Sequence, residues 1–157
     1  MTVKIGDDAP GFCLKDADDR ELCLENFRGK WVILYFYPKD GSKSCTAEAA
    51  DFTKRIYELE KMGVVVIGVS PDSVKSHKKF MLKYSLKVIL LSDPESEFIK
   101  AYGAWGKKIL YGKEYMGVIR STFIINPEGK ISASWQNVKV SGHVDEVINK
   151  FKEILEK

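Results

Sequence analysis

The chain has 157 residues, 45% apolar and 30% charged, with a net charge of +3. That length suits one domain spanning residues 1–157 with a real core, and the composition excludes a disordered chain. Lysines scattered among acids exclude a basic nucleic-acid stripe, and the longest apolar runs fall short of the ~18 residues of a membrane helix.

In chain order, "FCLKDADDRELCL" places Phe12, Leu14, Leu22 and Leu24 around an Asp-rich middle, which predicts a β-hairpin with those four side chains inward. Cys13 and Cys23 then share the opposite face as cross-strand neighbours. "NFRGK" follows as a turn. "WVILYFY" has the continuous apolar character of a strand buried on both faces. From Thr46 to Lys61, Ala49, Phe52, Ile56 and Leu59 recur at helical spacing, and Gly63 closes that helix.

"VVVIGVS" predicts a second buried strand, and "PDSVKSHKKFMLKYS" a helix with Pro71 in its first turn. "VILLSD" is a short strand and "PESEFIKAYG" a short helix. "WGKKILYGKEYMG" lacks periodicity and is expected to be a loop, its Trp105, Tyr111 and Tyr115 forming a rim, a contact or a satellite core. "VIRSTFIINPEGKISASW" gives two strands about the turn Asn126–Gly129, and Val144, Val147, Ile148, Phe151 and Leu155 mark a closing helix. This order implies a mixed α/β sheet covered by helices.

Three cysteines do not make a secreted disulfide framework. The acid- and proline-containing start "MTVKIGDDAPGF" lacks an export segment, so the cytoplasm is the expected compartment. Cys45 stands where a buried strand ends and a helix begins. Ligands of α/β sheets bind in the crevice beyond the strand ends. The unpaired N–H groups of a first helical turn favour negative charge, and thiol pKa values in such settings fall from about 8.5 to roughly 3.5–7.5. A polar, turn-like "DGSKSCT" places this thiol at a surface cleft, in contrast to a buried cysteine acting as a small hydrophobe.

Ser42 occupies the first position of a Cys-x-x-Cys pair, so no dithiol can close there. Its hydroxyl is a donor for the sulfur or a bound oxygen, and Pro38, lacking an N–H, can wall the site from water. Glu48 either complements the helix dipole or serves the site. His77 and His143 lie far apart without acid or thiol clusters, and no metal or cofactor is expected. Asp40 and Lys39 are assigned no chemistry.

"YPKDGSKSCTAE" resembles the peroxiredoxin active-site pattern Pro-x-x-x-Thr/Ser-x-x-Cys, with Pro38, Ser42 and Cys45 in register. The resemblance extends through "GDDAPGFCLKD", "ENFRGKWVILYFYPKD", "GVVVIGVSPDS", "LLSDPE", "AYGAWG" and "GVIRSTFIINPEGKI", and is strongest to the bacterioferritin comigratory protein, or Q-type, branch. It implies a thioredoxin-like fold with an N-terminal β-hairpin extension, and thiol-dependent reduction of hydrogen peroxide or organic hydroperoxides. Cys45 would be the peroxidatic thiolate, Arg120 the cation completing the site, and Glu48 the group orienting that arginine. The implied partners are a hydroperoxide and thioredoxin or another thiol reductant, with the protein a monomer or weak homodimer.

The alternatives are a thiol-based redox sensor and a thiol–disulfide oxidoreductase. The chain departs from many relatives in lacking a resolving cysteine: Ala50 stands at one usual place, and residues 71–85 contain none. Cys13 and Cys23 are then the remaining sulfurs, and two unpaired thiols are their plainest reading, beside a mutual disulfide or a resolving role.

Overall fold

The computed structural model describes residues 3–156. Nine strands and five helices follow in order: β1 (Cys13–Asp16), β2 (Glu21–Cys23), β3 (Trp31–Phe36), α1 (Lys43–Lys54), α2 (Ile56–Lys61), β4 (Val64–Ser70), α3 (Val74–Tyr84), β5 (Ile89–Ser92), α4 (Glu97–Ala101), β6 (Trp105–Leu110), β7 (Lys113–Val118), β8 (Ser121–Ile125), β9 (Ile131–Trp135) and α5 (His143–Leu155). Seven strands form one sheet in the order β2-β1-β5-β4-β3-β8-β9. β3, β4 and β5 run parallel, whereas β1, β2, β8 and β9 join antiparallel. The expected mixed sheet with an N-terminal hairpin is therefore present.

Strand alternation splits the core in two. Ile33, Tyr35 and Tyr37 face one cluster, with Phe52 of α1, Phe80 of α3 and Phe151 of α5. Val32, Leu34 and Phe36 face the other, with Phe12, Leu14, Leu24, Ile99 and Phe123. Three of the four hairpin side chains expected inward are buried, and Leu22 is half-buried. At Gly68, opposite Tyr35 across β3 and β4, a built Cβ would stand 2.6 Å from the tyrosine Cζ, so only glycine leaves room for that ring.

Three expectations about local structure are corrected. The helix expected over 46–61 starts at Lys43 and breaks at Arg55, whose N–H bonds back to Phe52 O and Thr53 O in a tighter turn. Its apolar stripe continues across the break, which hid it from the spacing. The segment expected as a loop is the hairpin β6–β7, closed by Tyr111 and Gly112, both at positive φ. It lies outside the main sheet and is largely exposed, so it lacks the burial that produces alternation.

Cys13 and Cys23 are paired directly across β1 and β2, with Cα atoms 4.0 Å apart, and are joined by a disulfide. The reading as two free thiols is therefore wrong. Equal inward spacing on either side of the hairpin turn had placed both sulfurs on one face, and the register makes them opposite.

Candidate active site

β3 ends at Phe36, and residues 37–42 carry the chain to α1. Gly41, at φ +81°, turns it, and Ser42 caps the helix by accepting a hydrogen bond from Cys45 N at 3.3 Å. Cys45 is thus the third residue of α1. Its thiol is buried, at 1% exposure, in contrast to the expected surface cleft. The side chain belongs to the buried cluster that also holds Ala49 and Phe52 of the same helix.

Glu48 follows one turn later on the same helix face. It is completely buried and lies beyond the first turn, so dipole complementarity does not account for it. Arg120 reaches both groups from the far side of the sequence. Because β8 runs antiparallel to β3, with Ser121 opposite Phe36, the residue entering β8 stands beside the end of β3. The Arg120 carbonyl accepts from Val138 N at 3.0 Å, and its neighbour Ile119 donates N–H to Ala104 O at 2.8 Å. From that anchored backbone, Nη1 donates to Glu48 Oε1 at 2.6 Å and Nη2 donates to Cys45 Sγ at 3.1 Å.

Burial pushes the Glu48 carboxyl up to about 7, against the pull of Arg120, and its Oε2 has no hydrogen-bond partner. Burial disfavours the Arg120 charge, but Glu48 and Cys45 outweigh it and raise its pKa further. Lys108, on β6, donates to Val118 O at 2.9 Å. Burial, and then repulsion from Arg120, lower its pKa. Nothing in its strand's pattern marked it.

Of the five residues singled out, the structure brings Cys45, Ser42, Glu48 and Arg120 together. Ser42 acts on the helix backbone, with no bond to the sulfur itself. Pro38 is half-buried in the connecting segment and makes no hydrogen bond to the others.

Both histidines are buried; His143 directly follows the Gly142 cap of α5, while His77, expected to stand apart from acids, does not. His77 Nδ1 lies 2.7 Å from Asp40 Oδ2, and Nε2 lies 2.9 Å from Leu91 O. Asp40 also accepts from Tyr37 Oη at 2.6 Å and Ser76 Oγ at 2.8 Å, and donates its N–H to Asp72 Oδ2 at 2.7 Å. Burial would raise the Asp40 pKa, but these donors outweigh it and hold the carboxyl low. The network bolts the segment leading to Cys45 onto α3. Its signal was available: His77 lies three residues before Phe80 on the inward stripe of α3. His143 packs under β8, its Nε2 2.8 Å from Thr122 Oγ1, and burial lowers its pKa.

A buried cysteine at a helix start, bridged to a buried carboxyl by one guanidinium, on a mixed sheet with helices, defines a thiol-based redox protein of thioredoxin-like fold. Residues 5–134 match the AhpC/TSA family. The chain is 47% identical over 146 residues to a putative Bcp peroxiredoxin of Helicobacter pylori, covering 93% of this chain and 96% of that one. It is 43% identical to the peroxiredoxin Bcp of Bacillus subtilis over 157 residues, all of both chains. Among solved structures, a cysteine-to-serine variant of PrxQ from Xylella fastidiosa superposes with a TM-score of 0.93 at 34% identity, covering 99% of each chain. The bacterioferritin comigratory protein of Xanthomonas campestris, described by its alkyl peroxide reduction activity, gives 0.86 at 37% identity over 90% of each. This chain belongs to the AhpC/TSA family, in its Bcp, or Q-type, peroxiredoxin branch.

Proposed function

We propose that the chain is a thiol peroxidase in which Cys45 attacks hydroperoxides. The observation that carries this reading is the single guanidinium held by Glu48 at 2.6 Å and aimed at Cys45 Sγ at 3.1 Å. The thiolate is the nucleophilic form of cysteine, and a fixed cation with oriented donors favours negative charge beside it. Sulfur attacks one peroxide oxygen and the O–O bond breaks. The other oxygen leaves as water or an alcohol after taking a proton, and Cys45 becomes a sulfenic acid. In this reading Arg120 steadies the charge that develops on the peroxide oxygens, as a donor already held in place by Glu48. Ser42 holds the first turn of α1 in shape, and Pro38 shapes its approach.

A first thiol must then condense with the sulfenic acid, releasing water and forming a mixed disulfide before further oxidation traps it, and a second thiol must exchange with that disulfide to free the Cys45 thiol. Thioredoxin or a similar thiol is the expected reductant and the cytoplasm the expected compartment. Among the described residues, no helix is long and apolar enough to cross a membrane. Both hydrogen peroxide and organic hydroperoxides are expected substrates, the latter supported by the activity of the Xanthomonas campestris relative. The thiol–disulfide oxidoreductase reading is disfavoured by the absence, among the described residues, of a second sulfur beside Cys45, since the other two are bonded to each other.

Stopped-flow oxidation of the reduced protein by hydrogen peroxide tests this reading. Cys45→Ser is expected to abolish the fast phase. Arg120→Ala should slow it about 10²- to 10³-fold, the usual effect of losing one preorganised donor. Arg120→Lys should recover only part, because one ammonium cannot bridge two groups as a guanidinium does. Oxidation of Cys45 no faster than that of free cysteine would overturn the assignment.

A further inference from the structure

Cys45 is the only free cysteine among the described residues, and the two usual places for a resolving thiol hold none. The remaining sulfurs are already arranged as a two-electron couple. Cys13 and Cys23 are directly opposed in the hairpin register and can close on each other without moving a strand. That hairpin forms the edge of the seven-stranded sheet, with Cys13 exposed and Cys23 half-buried.

The couple cannot serve the Cys45 of its own chain in the folded state. β1 and β3 are separated by β5 and β4, three strand spacings or about 14 Å, whereas a disulfide needs Cα atoms within about 7 Å. Leu14 faces the core shared with Leu34 and Phe36, so Cys13 points to the α3 face, the face on which Cys45 also lies, and the lateral separation across the sheet is what keeps the two apart. A second molecule has no such restriction. The hairpin turn exposes Asp19 and Glu21, with Asp18 already paired to Lys78 and Arg20, while Lys39 and Lys43 are exposed on either side of the entry to α1. Asp19 and Glu21 are opposite in charge to these two lysines, which favours their encounter.

We propose that the reduced Cys13–Cys23 pair of one molecule resolves the Cys45 sulfenic acid of another, with the cross-strand disulfide as the product. This rests on the peroxidase reading. The exposed Cys13 thiol attacks the sulfenic sulfur of Cys45. The S–O bond breaks, hydroxide leaves with the thiol proton as water, and an intermolecular Cys13–Cys45 disulfide forms. Cys23 then attacks Cys13 Sγ, the mixed disulfide breaks, and Cys45 departs as a thiolate while the Cys23 proton passes to solvent. The hairpin loses two electrons and Cys45 regains two. An external dithiol restores the hairpin by exchange, ending as its own disulfide. Because Cys45 is buried, the first turn of α1 must loosen for this attack, as it must for any thiol.

The test mixes two fully reduced variants free of small thiols: Cys45→Ser, which keeps the hairpin pair, and the double variant C13S/C23S, which keeps Cys45. One equivalent of hydrogen peroxide per Cys45 is added, and each chain is followed by intact mass and disulfide mapping. The Cys45→Ser chain is expected to gain the Cys13–Cys23 disulfide only when its partner is present, more slowly at high salt, while Cys45 returns to thiol. In a separate titration, reduced wild-type protein should consume two equivalents before sulfinic acid appears, and C13S/C23S only one. A hairpin that stays reduced while Cys45 sulfenic acid accumulates in the partner would overturn the proposal and leave the peroxidase intact. A C13S/C23S chain that consumes no peroxide would overturn both readings.

Discussion

Glu48 is the residue where burial and function conflict most openly. One of its oxygens binds Arg120 and the other has no partner, and burial pushes its pKa from 4.5 up to about 7. The folded protein therefore holds this proton more tightly than the unfolded chain does. Between pH 4.5 and about 7 the folded state carries the extra proton, so the Glu48 contribution is complete below 4.5 and is lost as pH rises through about 7. The difference in unfolding free energy between wild type and Glu48→Gln, measured by urea denaturation from pH 4 to 9, should fall across that window and flatten above it. A difference curve flat throughout would show that Arg120 keeps Glu48 ionised. The sequence disclosed Cys45 and Arg120 by the neighbours they keep, but not this tension, since nothing local to "TAEAAD" marks position 48 as buried. His77 was misjudged although its place three residues before Phe80 marks it as inward on α3; only its partner Asp40, 37 positions away, lies beyond any spacing rule.

At the scale of elements, apolar runs announced the buried strands and a stripe announced the helices, because burial writes period and composition into a segment. The β6–β7 hairpin escaped because backbone pairing holds it, and Tyr111 at its turn is 96% exposed. Pairing also explains Gly68, which seemed unremarkable in "VVVIGVS". The ring of Tyr35 lies across its Cα, then stacks on Phe52 of α1 at 5.0 Å. This packing links the centre of the sheet to the helix bearing Cys45. Gly68→Ala should lower unfolding stability by about 1–3 kcal/mol through overpacking, measured as a reduced urea midpoint at unchanged m-value. Wild-type stability in this variant would mean that Tyr35 turns aside at no cost.

For the molecule as a whole, the decisive fact is that the two ends of the site come from distant parts of the chain. Cys45 and Arg120 are 75 positions apart and meet only when β8 has docked against β3. The sequence supplied both residues and the strands beneath them, while the antiparallel register that joins them follows from core packing across the entire sheet. Fast oxidation of Cys45 should therefore be lost at the same denaturant concentration as the tertiary fluorescence of Trp31 and Trp135, which pack against the α5 face of the core. Fast oxidation that persisted beyond that midpoint would place the activation within α1 alone. The order of the chain also has a consequence during synthesis. The thiol emerges from the ribosome well before the guanidinium that belongs to it, so a growing chain carries its cysteine without the group that readies it for peroxide. Chemical vulnerability is thereby deferred until Arg120 and its strand have been made, and a copy without them is spared the oxidation that the folded one invites.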